Sequence, residues 1–267
     1  MHDNFNRKID YLRISVTDRC NLRCHYCMPQ EGIQLKKHQE IISSEEIFHV
    51  VKIAVEDCGF TKIRLTGGEP LLRHGIVDLV KMLAGITGIE DLAMTTNGIL
   101  LEKFAADLKH AGLNRVNVSL DTMDAKRFFA ATRGGNILEV FKGITTALTA
   151  GLTPLKINCV VEQSSDEEDA RAVKQYASEK GITVRFIQRM DFIKGIFRKI
   201  EGGQAGDCVT CNRLRLLSDG RILPCLFSDK TFSIKELGIY KALLEAIKHK
   251  PERGNPCLAK WMVSVGG

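Results

Sequence analysis

Residues 11–27 read Tyr11-Leu12-Arg13-Ile14-Ser15-Val16-Thr17-Asp18-Arg19-Cys20-Asn21-Leu22-Arg23-Cys24-His25-Tyr26-Cys27. Two patterns meet in this stretch. Up to Val16, Leu12, Ile14 and Val16 alternate with Arg13, Ser15 and Thr17, the period of a β-strand with one apolar and one polar face. From Cys20, three cysteines follow as C-x3-C-x2-C on a loop directly after that strand. Three thiolates on a tight loop can hold three irons of a [4Fe–4S] cube and leave the fourth iron open to a ligand. A structural zinc site is the alternative reading, although zinc prefers four ligands and paired C-x2-C knuckles.

Outward from this stretch, strand-like segments recur at Lys62–Thr66, Asp91–Thr95, Arg115–Leu120, Leu155–Val161 and Thr183–Gln188, with helical patterns between them. Ile47, Val50, Val51, Ala54 and Cys58 keep a helical period. Ser43 with Glu46, and Ser165 with Glu168, read as capping boxes. Gly59, Gly112, Gly151 and Gly181 stand where a left-handed residue ends a helix. Six βα units in succession predict a parallel sheet, too few for a closed eight-stranded barrel. The expected fold class is α/β, a partial (β/α)6 TIM-like barrel over residues 1–190.

From residue 191 to 267 the pattern changes to a short C-terminal cysteine-cluster cap. Gly202, Gly203 and Gly206 mark a loop. Strands at Leu214–Leu217 and Arg221–Leu226 flank Ser218-Asp219-Gly220, a hairpin signal, and a helix is expected over Ser233–Lys248. Cys208 and Cys211 form C-x2-C, and the hairpin folds Cys225 back toward them. A second iron–sulfur cluster or a zinc site would suit this trio. Arg213 and Arg215 lie two apart beside it, a spacing that suits phosphate.

Composition narrows the rest. The 267 residues are 44% hydrophobic and 26% charged, enough for a core. No apolar run reaches about 18 residues, and polar Met1–Lys8 has no secretion signal, so no membrane association and a cytoplasmic location are expected. Nine cysteines in a reducing compartment point to metal or catalysis rather than disulfides. The net charge of +6 comes without a Lys/Arg run, so nucleic acid is not indicated. Cys58 and Cys159 read as core residues, and Cys257 has no assigned place. Strand alternation turns Arg13, Lys62, Arg64, Lys156 and Arg185 inward with Asn117, Ser119 and Asn158. Five inward cations need solvent or anions, so the interior is expected to be a wet cavity for an anionic ligand.

The cysteine loop, with Tyr26 before its last cysteine, resembles the signature of the radical S-adenosylmethionine (SAM) superfamily. Gly67-Gly68-Glu69-Pro70 resembles that superfamily's GGEP motif. The resemblance implies that Cys20, Cys24 and Cys27 hold a [4Fe–4S] cluster whose open iron chelates SAM. Reductive cleavage of SAM would then yield a 5′-deoxyadenosyl radical. It also implies SAM contacts from Tyr26 against the adenine, Gly67, Gly68 and Glu69 around the amino group, and Thr95, Asn97, Ser119 and Asn158 at strand ends.

Within the superfamily, residues 11–190 and 208–227 resemble the GTP 3′,8-cyclase family of molybdenum cofactor biosynthesis. Leu12 to Asn21, Cys211-Asn212-Arg213-Leu214-Arg215-Leu216 and the terminal Gly266-Gly267 carry the likeness. It implies a lyase with a second [4Fe–4S] cluster on Cys208, Cys211 and Cys225 that holds guanine. The substrate residues would be Arg13, Lys62, Arg64, Lys156, Arg185, Arg213 and Arg215, of which Arg13, Arg213 and Arg215 would be catalytic. The radical would take the ribose 3′ hydrogen of GTP, and the carbon radical would attack C8. The partners implied are a flavodoxin- or ferredoxin-type reductant, a downstream cyclic pyranopterin monophosphate synthase and a second copy in a homodimer. This chain departs from the family in two places. Only 17 residues separate Met190 from Cys208, and Gln188-Arg189 replace an acidic and an apolar residue. A more open pocket is therefore expected. Two other readings stand beside this one: a divergent radical SAM enzyme acting on another nucleotide or a peptide, and a two-cluster electron-transfer protein.

Overall fold

In a computed structural model, which describes residues 1–191, 193–195, 197–198, 201–203, 206–257 and 262, the alternation after residue 10 becomes strand β1, Tyr11–Ser15. Strands β2 (Lys62–Thr66), β3 (Asp91–Thr96), β4 (Arg115–Ser119), β5 (Lys156–Val161) and β6 (Thr183–Gln188) follow. Helices α1 (Ser44–Glu56), α2 (Ile76–Ala84), α3 (Leu101–His110), α4 (Ala125–Thr132), α5 (Ile137–Thr149) and α6 (Glu168–Glu179) lie between them. The strands stand in the order β6-β5-β4-β3-β2-β1, each pair parallel. One face of each strand is apolar and packs under the helices: Leu12, Ile14, Ile63, Leu65, Val116, Val118, Ile157 and Cys159 are all fully buried. The opposite face is left for polar side chains.

The C-terminal segment extends this sheet. Strand β7 (Arg213–Leu216) pairs parallel with β1, adding a seventh strand to the parallel run. Strand β8 (Arg221–Leu223) returns antiparallel, and a third strand, β9 (Phe232–Ser233), pairs with it. The hairpin turn falls at Ser218–Gly220 as expected. Strand β8 stops three residues short of Leu226, at Pro224, which has no N–H for the ladder.

The Ser43–Glu46 capping box forms, with Glu46 N–H donating to Ser43 Oγ at 3.1 Å and Ser43 N–H to Glu46 Oε2 at 2.7 Å. The second expected box does not. Glu167 precedes α6, and its carboxylate reaches back to the N–H groups of Gln163 and Ser164 instead. The four helix-ending glycines all have positive φ. Cys58 is buried but lies past the end of α1. The expected final helix is two, α7 (Ile234–Leu237) and α8 (Ile239–Lys248), broken at Gly238. Gly238 has φ 77° and ψ 155°, a region essentially reserved for glycine. Cys159 is buried on the apolar face of β5, and Cys257 is also buried. Gly266 and Gly267 lie outside the described residues. Among the described residues, no helix is long and apolar enough to cross a membrane.

Candidate active site

The polar strand faces and the loops at the ends of the strands enclose a cavity of about 1380 Å³. Both cysteine trios open into it: Cys20, Cys24 and Cys27 on one side, and Cys208, Cys211 and Cys225 on the other.

The first loop is shaped by its own backbone. The N–H groups of Cys27 and Met28 both donate to the Cys24 carbonyl, at 2.9 and 3.1 Å, folding Cys24 and Cys27 into one turn. The loop is anchored to the end of α4. Arg23 and His25 N–H groups donate to Thr132 and Ala131 carbonyls, and Arg133 donates to the carbonyls of Arg23 and Met28. The His25 ring is exposed and rests on the Ala131 carbonyl, away from the thiols. Burial pushes the Cys20 thiol up to about 11 and, with the Cys27, Asp121 and Cys20 charges beside it, Cys24 higher still. Bound iron reverses this by stabilising the thiolates directly. Among the described residues, no three Cys, His, Asp or Glu side chains close around a single point, as a mononuclear zinc site requires. A cube takes its three thiolates at separate corners instead.

The GGEP segment underpins the loop. A Cβ on Gly67 would fall onto the Thr17 carbonyl oxygen, and one on Gly68 onto that of Arg19. The glycines therefore let this segment lie against the backbone leading into Cys20, where Gly68 and Glu69 N–H groups donate to the Thr17 and Arg19 carbonyls at 2.9 and 2.8 Å. The close approach these glycines permit is to the chain itself. Glu69 is fully buried, behind the cavity wall rather than on it. Its carboxylate accepts from Thr96 Oγ1 at 2.7 Å, Asn97 N at 2.8 Å and Leu71 N at 3.1 Å. Burial pushes it up to about 7 against these three hydrogen bonds. Asn97 joins Glu69 to the cysteine loop, since its Nδ2 donates to Asn21 Oδ1 at 2.7 Å. Thr95, Ser119 and Asn158 line the cavity, as does Tyr26, whose hydroxyl donates to Asp121 Oδ2 at 2.7 Å.

The cations form an ordered surface. In the sheet register Arg215 on β7 stands opposite Arg13 on β1, which stands opposite Arg64 on β2. The row before it reads Arg213, Tyr11, Lys62 and Asp91. Like charges side by side repel. Burial and the neighbouring Arg215 hold Arg13 well below the usual arginine range, and burial with Arg213 brings Arg215 down to about 10. Burial alone would raise the Tyr11 phenol, but Arg64, Arg13, Arg213 and Arg115 together lower it. Arg185 lines the same cavity. Lys156 does not; it sits at the start of β5, its pKa lowered by burial and by Arg185. Among the described residues of the lining, Arg64 Nε, Arg185 Nε, Asn117 Nδ2 and Asn158 Oδ1 are buried with no hydrogen-bond partner. Unmet buried donors and acceptors are costly until water or a polar ligand meets them.

Sequence reasoning missed several lining residues. Asp91 holds Arg115 through a bidentate pair at 2.9 and 2.5 Å, and Arg115 in turn donates to Asn117 Oδ1 at 3.1 Å. Strand alternation could have flagged Arg115 with the other cations. Lys250, which reaches the second trio from beyond α8, carries no local signal.

Residues 14–177 match the family model described as the radical SAM superfamily. The fold agrees with that of Streptococcus suis SuiB bound to S-adenosylmethionine (TM-score 0.62, 17% identity, 92% of this chain and 64% of that one). It also agrees with native anSMEcpe with bound AdoMet (TM-score 0.65, 15% identity, 91% of this chain and 81% of that one). The fold and the cysteine loop define a radical SAM enzyme, a class that works with a [4Fe–4S] cluster and SAM. The GTP 3′,8-cyclase of Thermodesulfovibrio yellowstonii is 43% identical over 94% of this chain and 95% of its own. That of Pelotomaculum thermopropionicum is 40% identical over the whole of both. The chain belongs to the GTP 3′,8-cyclase family. The Pelotomaculum alignment runs over 327 positions against 267 residues here, so about sixty of them have no counterpart in this chain.

Proposed function

We propose that this chain converts GTP to (8S)-3′,8-cyclo-7,8-dihydroguanosine 5′-triphosphate in molybdenum cofactor biosynthesis. One observation carries the reading: two cysteine trios and an in-register row of arginines face one cavity, each offering what a different part of the reaction needs. Cys20, Cys24 and Cys27 would hold a [4Fe–4S] cluster with SAM, and Cys208, Cys211 and Cys225 a second [4Fe–4S] cluster near the guanine. When bound, the first cluster and SAM supply a 5′-deoxyadenosyl radical that can take hydrogen from carbon.

The chain's own residues do the positioning. Glu69, fixed by three donors behind the cavity wall, would draw the SAM ammonium by its charge. Tyr26, held by Asp121, walls the adenine side, with Gly67, Gly68, Thr95, Asn97, Ser119 and Asn158 completing the SAM surface. Arg215, Arg13 and Arg64 would grip the triphosphate, relieving their mutual repulsion. Lys62, Arg185 and Arg213 lie within reach of the same anion, and Lys156 supports it from outside the wall. Of these, Arg13, Arg213 and Arg215 are assigned catalytic contact with the substrate. The division at residue 190 then has a functional sense, with the SAM machinery before it, the second cysteine trio after it and substrate cations on both sides. A flavodoxin- or ferredoxin-type protein would supply the electron, and cyclic pyranopterin monophosphate synthase would take the product.

The test is product analysis. Anaerobically reconstituted protein with GTP, SAM and dithionite is expected to form 3′,8-cyclo-GTP. Formation of 5′-deoxyadenosine with no cyclised nucleotide would count against the proposal.

A further inference from the structure

The three cysteines of the second trio sit on two stretches of chain, Cys208 with Cys211 on one and Cys225 on the other, and two buried cations tie both stretches to one turn. The turn is Lys250-Pro251-Glu252, just past α8. Lys250 is only 3% exposed. Its Nζ donates to the carbonyl of Arg213, two residues after Cys211, at 2.6 Å, and to that of Pro224, the residue before Cys225, at 2.9 Å. The Cys211 and Cys225 thiols also act on this ammonium, holding its proton against the effect of burial. Arg7, 8% exposed, completes the arrangement from the N-terminus. It donates to the carbonyl of Cys208 at 2.7 Å and to those of Glu252 and Pro251 at 3.0 and 2.7 Å. Asp3 holds the guanidinium in place through Nε and Nη2, both at 2.6 Å. The two cysteine-bearing segments thus share one hub, although more than 200 residues separate Arg7 from Cys208.

Burying an ammonium without a countercharge costs several kcal/mol. Asp3 neutralises Arg7. No carboxylate pairs with Lys250 among the described residues, and the negative groups acting on it are Cys211 and Cys225. A cubane in its 2+ state on three thiolates carries a net charge of about −1, and its potential depends on nearby charge and hydrogen bonds to sulfur. We infer that Lys250 and Arg7 are positioning residues for the second cluster: together they fix its two ligand segments, and Lys250 supplies the countercharge that sets its reduction potential. This rests on the reading of Cys208, Cys211 and Cys225 as iron ligands.

The experiment compares anaerobically reconstituted full-length protein with Lys250→Met, Lys250→Arg and Arg7→Lys. The readouts are iron and sulfide content, EPR of each reduced cluster with its redox titration, and dithionite-driven cleavage of SAM. Wild type is expected to hold about eight irons. Lys250→Met and Arg7→Lys are expected either to fall toward about four, or, for Lys250→Met, to keep the second cluster with a more negative potential. Lys250→Arg is expected to restore the wild-type potential. The first cluster's signal and SAM cleavage should stay within about twofold of wild type in every variant. Unchanged iron and an unchanged second potential in Lys250→Met would overturn the inference alone. Loss of the first cluster along with the second would reduce the pair to a fold staple and overturn it too. Wild type with only about four irons, or with zinc, would instead overturn the two-cluster reading on which the inference stands.

Discussion

At the scale of single residues, Glu69 shows how a motif acquires its chemistry. The GGEP run was legible as a motif, and its resemblance implied a carboxylate turned toward an ammonium. Two of its three donors were not legible, because Thr96 ends the next strand, Asn97 follows it, and only the fold brings them near. Buried among them, Glu69 titrates at about 7. Above that pH the group is an anion and attracts the SAM ammonium by its charge; below it, the group is a neutral acid. SAM affinity of the cluster-loaded protein is therefore expected to be flat above about pH 8 and to weaken as pH falls through 7, by up to about tenfold per unit. Glu69→Gln is expected to bind weakly at every pH. Calorimetric titration with SAM checks both, and a pH-independent wild type would contradict the assignment. Gly68→Ala should force Arg19 and Cys20 backbone apart, costing about 2–3 kcal/mol in thermal unfolding and loosening the first cluster.

Among the elements, the row Arg215–Arg13–Arg64 across β7, β1 and β2 depends on topology. Period-two alternation was enough to turn each arginine inward. It could not place Arg215 beside Arg13, because the pairing of β7 with β1 joins segments about two hundred residues apart. The break at Gly238 and the two-residue β9 were also beyond sequence reading, since the helical pattern runs on through both sides of the glycine and β9 is too short to show a period. Three guanidiniums in register without an anion oppose the fold, so tripolyphosphate or GTP should raise the unfolding temperature. At a hundred times Kd the expected stabilisation is about 2.7 kcal/mol. Arg13→Met is expected to remove most of that ligand response while leaving the ligand-free protein as stable as before or more so. Thermal unfolding with and without tripolyphosphate measures it; a full response in Arg13→Met would take the phosphate subsite away from this row.

For the whole molecule, both cysteine trios and the barrel that carries them could be read from spacing and periodicity. The devices that hold the second trio could not. Arg7 and Lys250 sit near opposite ends of the chain, outside any motif, and matter only because the fold brings both ends to one place. The short connection between β6 and the second trio was visible as a count of residues, and the alignment positions left unfilled agree that this chain is shorter than its relatives. The consequence for the reaction rests on whether the cavity still presents the ribose of GTP to the radical. Deuterium at C3′ of GTP reports that contact directly. In anaerobic turnover with SAM and dithionite, deuterium is expected to appear in 5′-deoxyadenosine together with cyclised nucleotide. Deuterium-free 5′-deoxyadenosine, with labelled GTP recovered intact, would contradict the account.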